Sequence, residues 1–473
     1  MKPDSQQLLF SKGAALARPG NGRRESLTFK ANRNLGRHGW LRLTPAYSRH
    51  LVERLTEPLT SNDRVLDPFC GTGTTALTCA EHGIYCDTVD VNPFLIWLAN
   101  VKLATYSPSD IHAATIFGEK LNPTTGSGTE WRPPIKDIQK WWSEDDLSSL
   151  AHILTTIKHA DVSESARNLL FSAFCRTAIE TAAVSFGHQS MSFKTQVVQP
   201  TLAALDYSMS LKNLFVKRLA EIVNAAQMPV RSGLAEAVLG DSRKLDSLPN
   251  AKYSYVITSP PYPNRMSYIR ELRPYMYWLG FLHDGRQAGE LDWKAIGGTW
   301  GCATSNLMRW QPDNTANIPG SGFAAMIARI SDRSRILSLY VHKYFEDCVL
   351  HFRALSRVLT EGAQVHYIVG NSRFYDVMVP TEQIYQDIMI NNGFHHVTVE
   401  NIRKRSSKKE LFEFVVSGTF GSTNLMPGAA EAAGAARGSG EMLLGIHSLP
   451  CGAGDRGDNQ LRNAHAAGNN KGF

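Results

Sequence analysis

The run Arg64-Val65-Leu66-Asp67 is short and apolar, stops at Pro68, and turns through Gly71 and Gly73. From Thr72 to about Glu81 the spacing is helical. A buried strand that passes through glycines straight into a helix fits a parallel sheet with helices packed on its faces, and few other arrangements. The unit then repeats. Tyr85-Cys86-Asp87-Thr88-Val89-Asp90 reads as a second strand, and Pro93 opens a helix to about Lys102. Strand signals return at Ala237-Val238-Leu239, at Tyr253-Ser254-Tyr255-Val256-Ile257-Thr258 and at Gln364-Val365-His366-Tyr367-Ile368-Val369. Helical stretches lie at about 268–280, at about 334–359 and from Thr381 to Asn392, the last ended by Gly393. Two alternating segments, 397–402 and 411–416, flank the basic run Arg403-Lys404-Arg405-Ser406-Ser407-Lys408-Lys409 and predict an antiparallel hairpin. The expectation is a doubly wound α/β sheet, mostly parallel, closed by that hairpin.

The alternation breaks from about Ser107 to Met228, where Leu169, Leu170, Ala173 and Phe174, and later Leu211, Leu214, Phe215 and Leu219, repeat with helical spacing. This predicts a helical insertion. Its Trp141-Trp142 pair and the loop 186–194 fit either a ligand-facing surface or a helix–helix corner. The chain has 473 residues and a net charge of +7, and the excess is uneven. Residues 1–43 hold nine Lys or Arg, Arg33 and Arg37 among them, against Asp4 and Glu25. That suits a solvated arm or one that seeks phosphates. From about residue 421 the sequence is rich in Gly and Ala and cannot bury enough apolar area to offset its ordering entropy, so disorder is expected. The expected division is a basic flexible arm over 1–35, the first, cofactor-binding half of a domain over 36–106, the insertion over 107–235, the catalytic half over 236–420 and the tail over 421–473. No apolar run approaches the roughly 18–20 residues of a membrane span, and the N-terminus lacks a secretory stretch. Seven scattered cysteines offer no disulfide framework, and Cys348 with His351 has no second ligand pair nearby. A cytoplasmic protein is expected, without metal or membrane contact.

Four strand ends carry residues with a chemical reason to stand there. In Asp67-Pro68-Phe69-Cys70-Gly71-Thr72-Gly73-Thr74 the glycines let a ligand approach backbone N–H groups. The GxxxxGK[ST] pattern of a nucleoside triphosphate site is missing, and a dinucleotide would set its diphosphate over the helix N-terminus. An acid just before the glycines instead suits a ligand with positive charge. S-adenosylmethionine has a sulfonium, an ammonium and no phosphate; a plain Gly-rich turn is the bland alternative. Asp90 ends the next strand, 23 residues after Asp67, where a carboxylate can accept from both hydroxyls of a ribose. Asp241, in Gly240-Asp241-Ser242, could accept from an adenine amino group or simply cap a helix. In Thr258-Ser259-Pro260-Pro261-Tyr262 two prolines fix the backbone and remove two N–H donors. Free carbonyls, the Ser259 hydroxyl and the flat face of Tyr262 suit a planar ring with an exocyclic amino group.

In order and type these strings resemble the class I S-adenosylmethionine-dependent methyltransferases, specifically the amino-group DNA methyltransferases of the SPPY type. DPFCGTGT resembles their cofactor loop and TSPPY their catalytic tetrad, and His38–Ser48 looks like the segment that closes over the methionine part of the cofactor. The match covers about 36–106 and 236–418. The resemblance implies a Rossmann-like, seven-stranded sheet. It implies that Asp67, Pro68, Phe69, Cys70, Gly71, Gly73, Thr74 and Tyr47 line S-adenosyl-L-methionine, that Asp90, Val91 and Asn92 take its ribose, and that Asp241 and Ser242 lie near its adenine. Ser259, Pro260, Pro261 and Tyr262 would hold the target base. The SPPY form goes mainly with the N4 amino group of cytosine, and NPPY or DPPY mainly with adenine N6. The partner implied is double-stranded DNA, with a cognate restriction endonuclease unless the enzyme serves an orphan methylation system. The long insertion departs from common layouts, so either it or the stretch 282–330, with Ile296-Gly297-Gly298-Thr299-Trp300, would read the sequence.

The rivals are adenine N6 methylation, an RNA amino-group methyltransferase, and a non-catalytic DNA-binding protein. Ser259, and only about 60 residues before the cofactor loop, argue against the RNA enzymes, and intact motifs argue against the last. Carbon-5 chemistry would need a Pro-Cys nucleophile. Pro450-Cys451 sits in the tail, after Glu400-Asn401-Ile402 instead of before it. Cys70 lies at the wrong strand end to attack a base.

Overall fold

The computed structural model describes residues 29–41, 47–122, 131–185, 192–193, 204–264, 266–298, 304–313, 317–320, 322–405 and 410–421. The arm over 1–28, part of the closing segment (42–46), most of the loop 186–194, Thr299-Trp300, Ser406–Lys409 and the tail from 422 lie outside the described residues. Within the expected arm, Phe29–Asn34 forms a 3-10 turn. Asn32 there is buried, bonded to the Tyr47 carbonyl at 2.9 Å and to the Arg49 N–H at 2.9 Å. Residues 29–35 of the arm expected to be flexible are therefore folded onto the start of the helix Arg49–Thr56.

Seven strands build the main sheet: β1 (Arg64–Asp67), β2 (Tyr85–Asp90), β3 (Ala235–Leu239), β4 (Tyr253–Thr258), β5 (Leu359–Gly370), β6 (Phe394–Lys404) and β7 (Phe412–Phe420). Their spatial order is β6-β7-β5-β4-β1-β2-β3. The five strands from β5 to β3 pair in parallel, and β7 runs antiparallel to both β5 and β6. This is the expected mostly parallel sheet with its antiparallel hairpin. The chain leaves β1 outward through β2 and β3, then returns to lay β4 on the other side of β1. At such a reversal the loops at the carboxyl ends part and leave a crevice.

Helices cover both faces, which is why Val65, Leu66 and Asp67 of β1 are all buried. Helices α1 (Arg49–Thr56), α2 (Thr74–His82) and α3 (Pro93–Leu103) flank the first strands. Asn92 caps α3 by accepting from the Phe94 N–H at 3.0 Å, with Pro93 in the first turn. The insertion folds as α4 (Pro108–Lys120), α5 (Glu144–His159), α6 (Glu164–Thr181) and α7 (Ala204–Ala226). Capping boxes at Ser107/Asp110 and Ser143/Asp146 start two of them. Their core of Leu150, Leu154, Leu169, Phe174, Phe215 and Leu219 also takes in Val101 of α3. Trp141 and Trp142 stack at 5.7 Å, and the Trp142 indole donates to the Ala178 carbonyl at 2.8 Å. Of the two expectations for this pair, the helix–helix corner is the one observed.

Arg37, counted with the arm's charges, is buried. Its guanidinium donates to the carbonyls of Lys102 (2.7 Å) and Ala104 (2.6 Å) at the end of α3, and of Ala226 (2.6 Å) and Met228 (3.1 Å) at the end of α7. One cation thereby closes the ends of two helices and ties the insertion to the sheet.

The second half contributes α8 (Tyr268–Trp278), α9 (Gly285–Lys294), α10 (Thr304–Arg309), α11 (Phe323–Ser331), α12 (Arg335–Val358) and α13 (Thr381–Asn391). A small hairpin, Ser372–Phe374 with Val377–Val379, follows β5. Among the described residues no helix is long and apolar enough to cross a membrane.

Candidate functional site

The crevice between β1 and β4 is a cleft of about 920 Å³, its open mouth included. The loop after β1 lines it with Pro68, Phe69, Cys70, Gly71 and Thr74, and the loop after β2 with Asp90, Val91 and Asn92. Gly240 and Ser242 follow β3 onto the same wall, and Ser259, Pro260, Pro261 and Tyr262 follow β4. Tyr47 completes the floor. Four loops far apart in sequence therefore meet at one edge of the sheet.

Three expected residues stand back from the lining. Asp67 is fully buried and accepts from the Thr258 hydroxyl at 2.6 Å and the Phe69 N–H at 3.1 Å. It braces the ends of β1 and β4. Burial pushes its carboxyl up to about 7 against these hydrogen bonds. Gly73, at φ 75°, is a packing glycine: a Cβ there would come within 3.0 Å of the Ala99 Cβ, so its absence lets α2 approach α3. Asp241, expected near adenine, turns instead to Arg243, whose guanidinium pairs with it at 2.7 Å. Arg243 also reaches Asp347 at 3.0 Å, so Asp241 belongs to an ion-pair network.

Gly71 is the glycine that opens the site. At φ 51° an added Cβ would meet nothing nearer than the Phe69 carbonyl at 3.9 Å, so the space beside it is free. Asp90 accepts from the Gly71 N–H at 3.1 Å and the Asn92 N–H at 2.9 Å. Burial pushes Asp90 up to about 6 despite those bonds, and among the described residues no cation pairs with it. Lys294 is the single basic side chain on the described lining. A carboxylate without a counter-ion, an open glycine turn and no basic cluster to meet a diphosphate fit a nucleoside with a positively charged tail. Those residues fit S-adenosylmethionine, with Asp90 and the Gly71 turn as its holders.

At the facing wall the Ser259 hydroxyl donates to the Ile368 carbonyl of β5 at 3.2 Å. Its lone pairs remain for an incoming donor. The Pro261 carbonyl is already taken by the Tyr344 hydroxyl at 2.8 Å. The Pro260 carbonyl accepts no hydrogen bond from the described residues. Tyr262 is half-buried, with one part of its ring open to the cleft.

Tyr268 and Ile269 of α8, Lys294 at the end of α9 and Ala295 and Ile296 just after it also line the cleft. His351 of α12 stands behind it. Its Nδ1 lies 2.8 Å from the Ser242 carbonyl and its Nε2 2.6 Å from the Tyr367 hydroxyl, while its ring meets Phe69 edge-on at 5.0 Å. Burial pushes this imidazole down to about 4, so it is neutral, donating to Ser242 and accepting from Tyr367. The CxxH pair is thus divided between two hydrogen-bond networks, since the Cys348 thiol donates to the Tyr385 hydroxyl at 3.3 Å. The hairpin register that brings Glu413 and Arg403 to Tyr262 could have been traced only from pairing, not from composition.

No family model matches the chain. It is similar to the Type II methyltransferase M.BsoBI of Geobacillus stearothermophilus, at 23% identity over 434 residues, covering 81% of this chain and 83% of that one. It is 20% identical over 379 residues to the Type II methyltransferase M.MvaI of Kocuria varians, covering 75% and 80%. A 72-residue stretch, 15% of each chain, is 35% identical to the Type II methyltransferase M.AvaI of a Nostoc species. Among solved structures, a SAM-dependent methyltransferase of Methanosarcina mazei aligns with 80% of this chain and 99% of its own at 9% identity, with a TM-score of 0.27.

Proposed function

We propose that this chain is an S-adenosylmethionine-dependent DNA methyltransferase that modifies the exocyclic N4 amino group of cytosine in double-stranded DNA. The observation that carries the reading is the convergence of the Gly71 turn, Asp90 and the Ser259–Tyr262 loop on one cleft. Similarity to Type II methyltransferases over most of both chains supports it.

When bound, S-adenosylmethionine supplies an electrophilic methyl group. The protein's task is to orient that group and to make a poor nucleophile competent. A cytosine amino lone pair is delocalised into the ring. The Ser259 hydroxyl and the Pro260 carbonyl would accept its two hydrogens, which favours a pyramidal nitrogen whose lone pair points at the methyl carbon. Transfer would form the N–C bond as the methyl–sulfur bond of the sulfonium breaks and leaves a neutral thioether, and the surplus amino proton would leave through these acceptors to solvent. Orientation and fixed dipoles do most of the work, and no covalent enzyme intermediate is needed. Extruding the base from the duplex costs a few kcal/mol. Phosphate contacts from the basic segments offset that cost.

Ser259→Ala and Tyr262→Ala test the assignment. Methyl transfer to DNA is expected to disappear in both while S-adenosylmethionine still binds in calorimetry. Full activity in both variants would reject the site.

A further inference from the structure

We infer that Glu413 is a positioning residue, which sets the plane of Tyr262 for the extruded base and is itself held by Arg403. The inference rests on the reading above, in which Tyr262 is the stacking face. The sheet register brings the parts together. On β7, Glu413 stands opposite Gly370 of β5 on one side and opposite Arg403 of β6 on the other. The Tyr262 hydroxyl donates to Glu413 Oε1 at 2.8 Å. Arg403 grips the same carboxylate, from Nε to Oε2 at 2.5 Å and from a terminal nitrogen to Oε1 at 3.0 Å. Glu413 is only 5% exposed. A buried carboxylate persists only when paired and hydrogen-bonded, and here one partner is the arginine and the other the phenol.

The ring is fixed at two further places. A Cβ on Gly370 would come within 2.9 Å of the Tyr262 ring carbons Cδ2 and Cε2, so bare backbone gives that edge its seat. The Arg405 guanidinium carbon lies 5.1 Å from the ring centroid. Arg405 is tied down in turn by the carbonyls of Phe412, at 3.1 Å, and of Asn371. Hydroxyl, edge and face are thus each held by a different element. A flat ring serves a base only if its plane is already set when the base arrives, because misalignment is costly in rate.

The test measures transfer of labelled methyl from S-adenosylmethionine to long unmethylated duplex DNA, with cofactor affinity measured separately by calorimetry. Tyr262→Phe and Glu413→Ala are each expected to lower kcat about tenfold or more, with cofactor affinity unchanged. Glu413→Gln, whose amide oxygen still accepts from the phenol, is expected to recover most of the loss. The double variant Tyr262→Phe/Glu413→Ala should be no slower than Glu413→Ala alone, since both changes remove the same Tyr262–Glu413 hydrogen bond. Wild-type kcat in Tyr262→Phe, or losses that multiply in the double variant, would overturn the inference. Should Glu413→Ala not fold, Tyr262→Phe and Glu413→Gln decide it: a slowed Phe variant beside a near-normal Gln variant supports it, and the converse refutes it. A wild-type chain that transfers no methyl to DNA overturns the functional reading as well, whereas an active wild type with an equally active Tyr262→Phe overturns this inference alone.

Discussion

Two carboxyls at the end of the sheet, Asp90 on the cleft lining and Asp67 buried behind it, sit where ionisation is costly. Burial raises Asp90 to about 6 and Asp67 to about 7. A carboxyl with a raised folded pKa binds its proton more tightly folded than unfolded. Between about 4 and 7 the folded chain therefore holds the extra protons, and stability falls as pH rises across that window. A ligand with hydroxyl donors and positive charge favours the ionised form of Asp90, the one of the two that lines the cleft. The affinity for S-adenosylmethionine is accordingly expected to climb as pH rises through about 6 and then level off, with proton release in calorimetry across buffers of different ionisation enthalpy. Asp90→Asn should flatten the climb. A pH-independent affinity in the wild type would show that Asp90 does not face the ligand.

At the scale of elements, the insertion is fastened by a residue that charge counting assigned elsewhere. Arg37 answers five carbonyls at the ends of α3 and α7. Arg37→Ala takes the donor from all of them, several buried, and is expected to cost about 3 kcal/mol of stability, read as a shift of the urea midpoint; an unmoved midpoint would contradict the bolt. The sequence carried the strands and their end loops clearly, because Asp67-Pro68, Gly71 and the double proline 260–261 are punctuation with a local cause. It carried α12 and α13 to within about a residue at each end, because long apolar periodicity and the Gly393 stop leave little choice. It was silent on α9, α10 and α11, which are short and depend on packing, α9 against α8 and the other two against α12. The burial of Arg37 and the ion pair of Asp241 were not legible for one reason: a charge in sequence has no partner until the fold supplies a helix end or Arg243.

For the whole molecule, the proposed function requires association with DNA, which the net charge of +7 would favour through phosphates. Binding to duplex DNA is expected to weaken by about a hundredfold between about 50 and about 200 mM salt, measured by fluorescence anisotropy; a salt-independent affinity would exclude that mode. The sheet order, the cleft at the reversal beside β1 and the similarity to Type II methyltransferases all bear on one claim, that the chain methylates an exocyclic amino group of a DNA base. Mass spectrometry of nucleosides from unmethylated duplex DNA, incubated with the full-length protein and isotopically labelled S-adenosylmethionine, tests it directly. Labelled N4-methylcytosine, absent with Ser259→Ala, is the predicted product. Labelled N6-methyladenine would overturn the choice of base, and 5-methylcytosine or no labelled nucleoside would contradict the account.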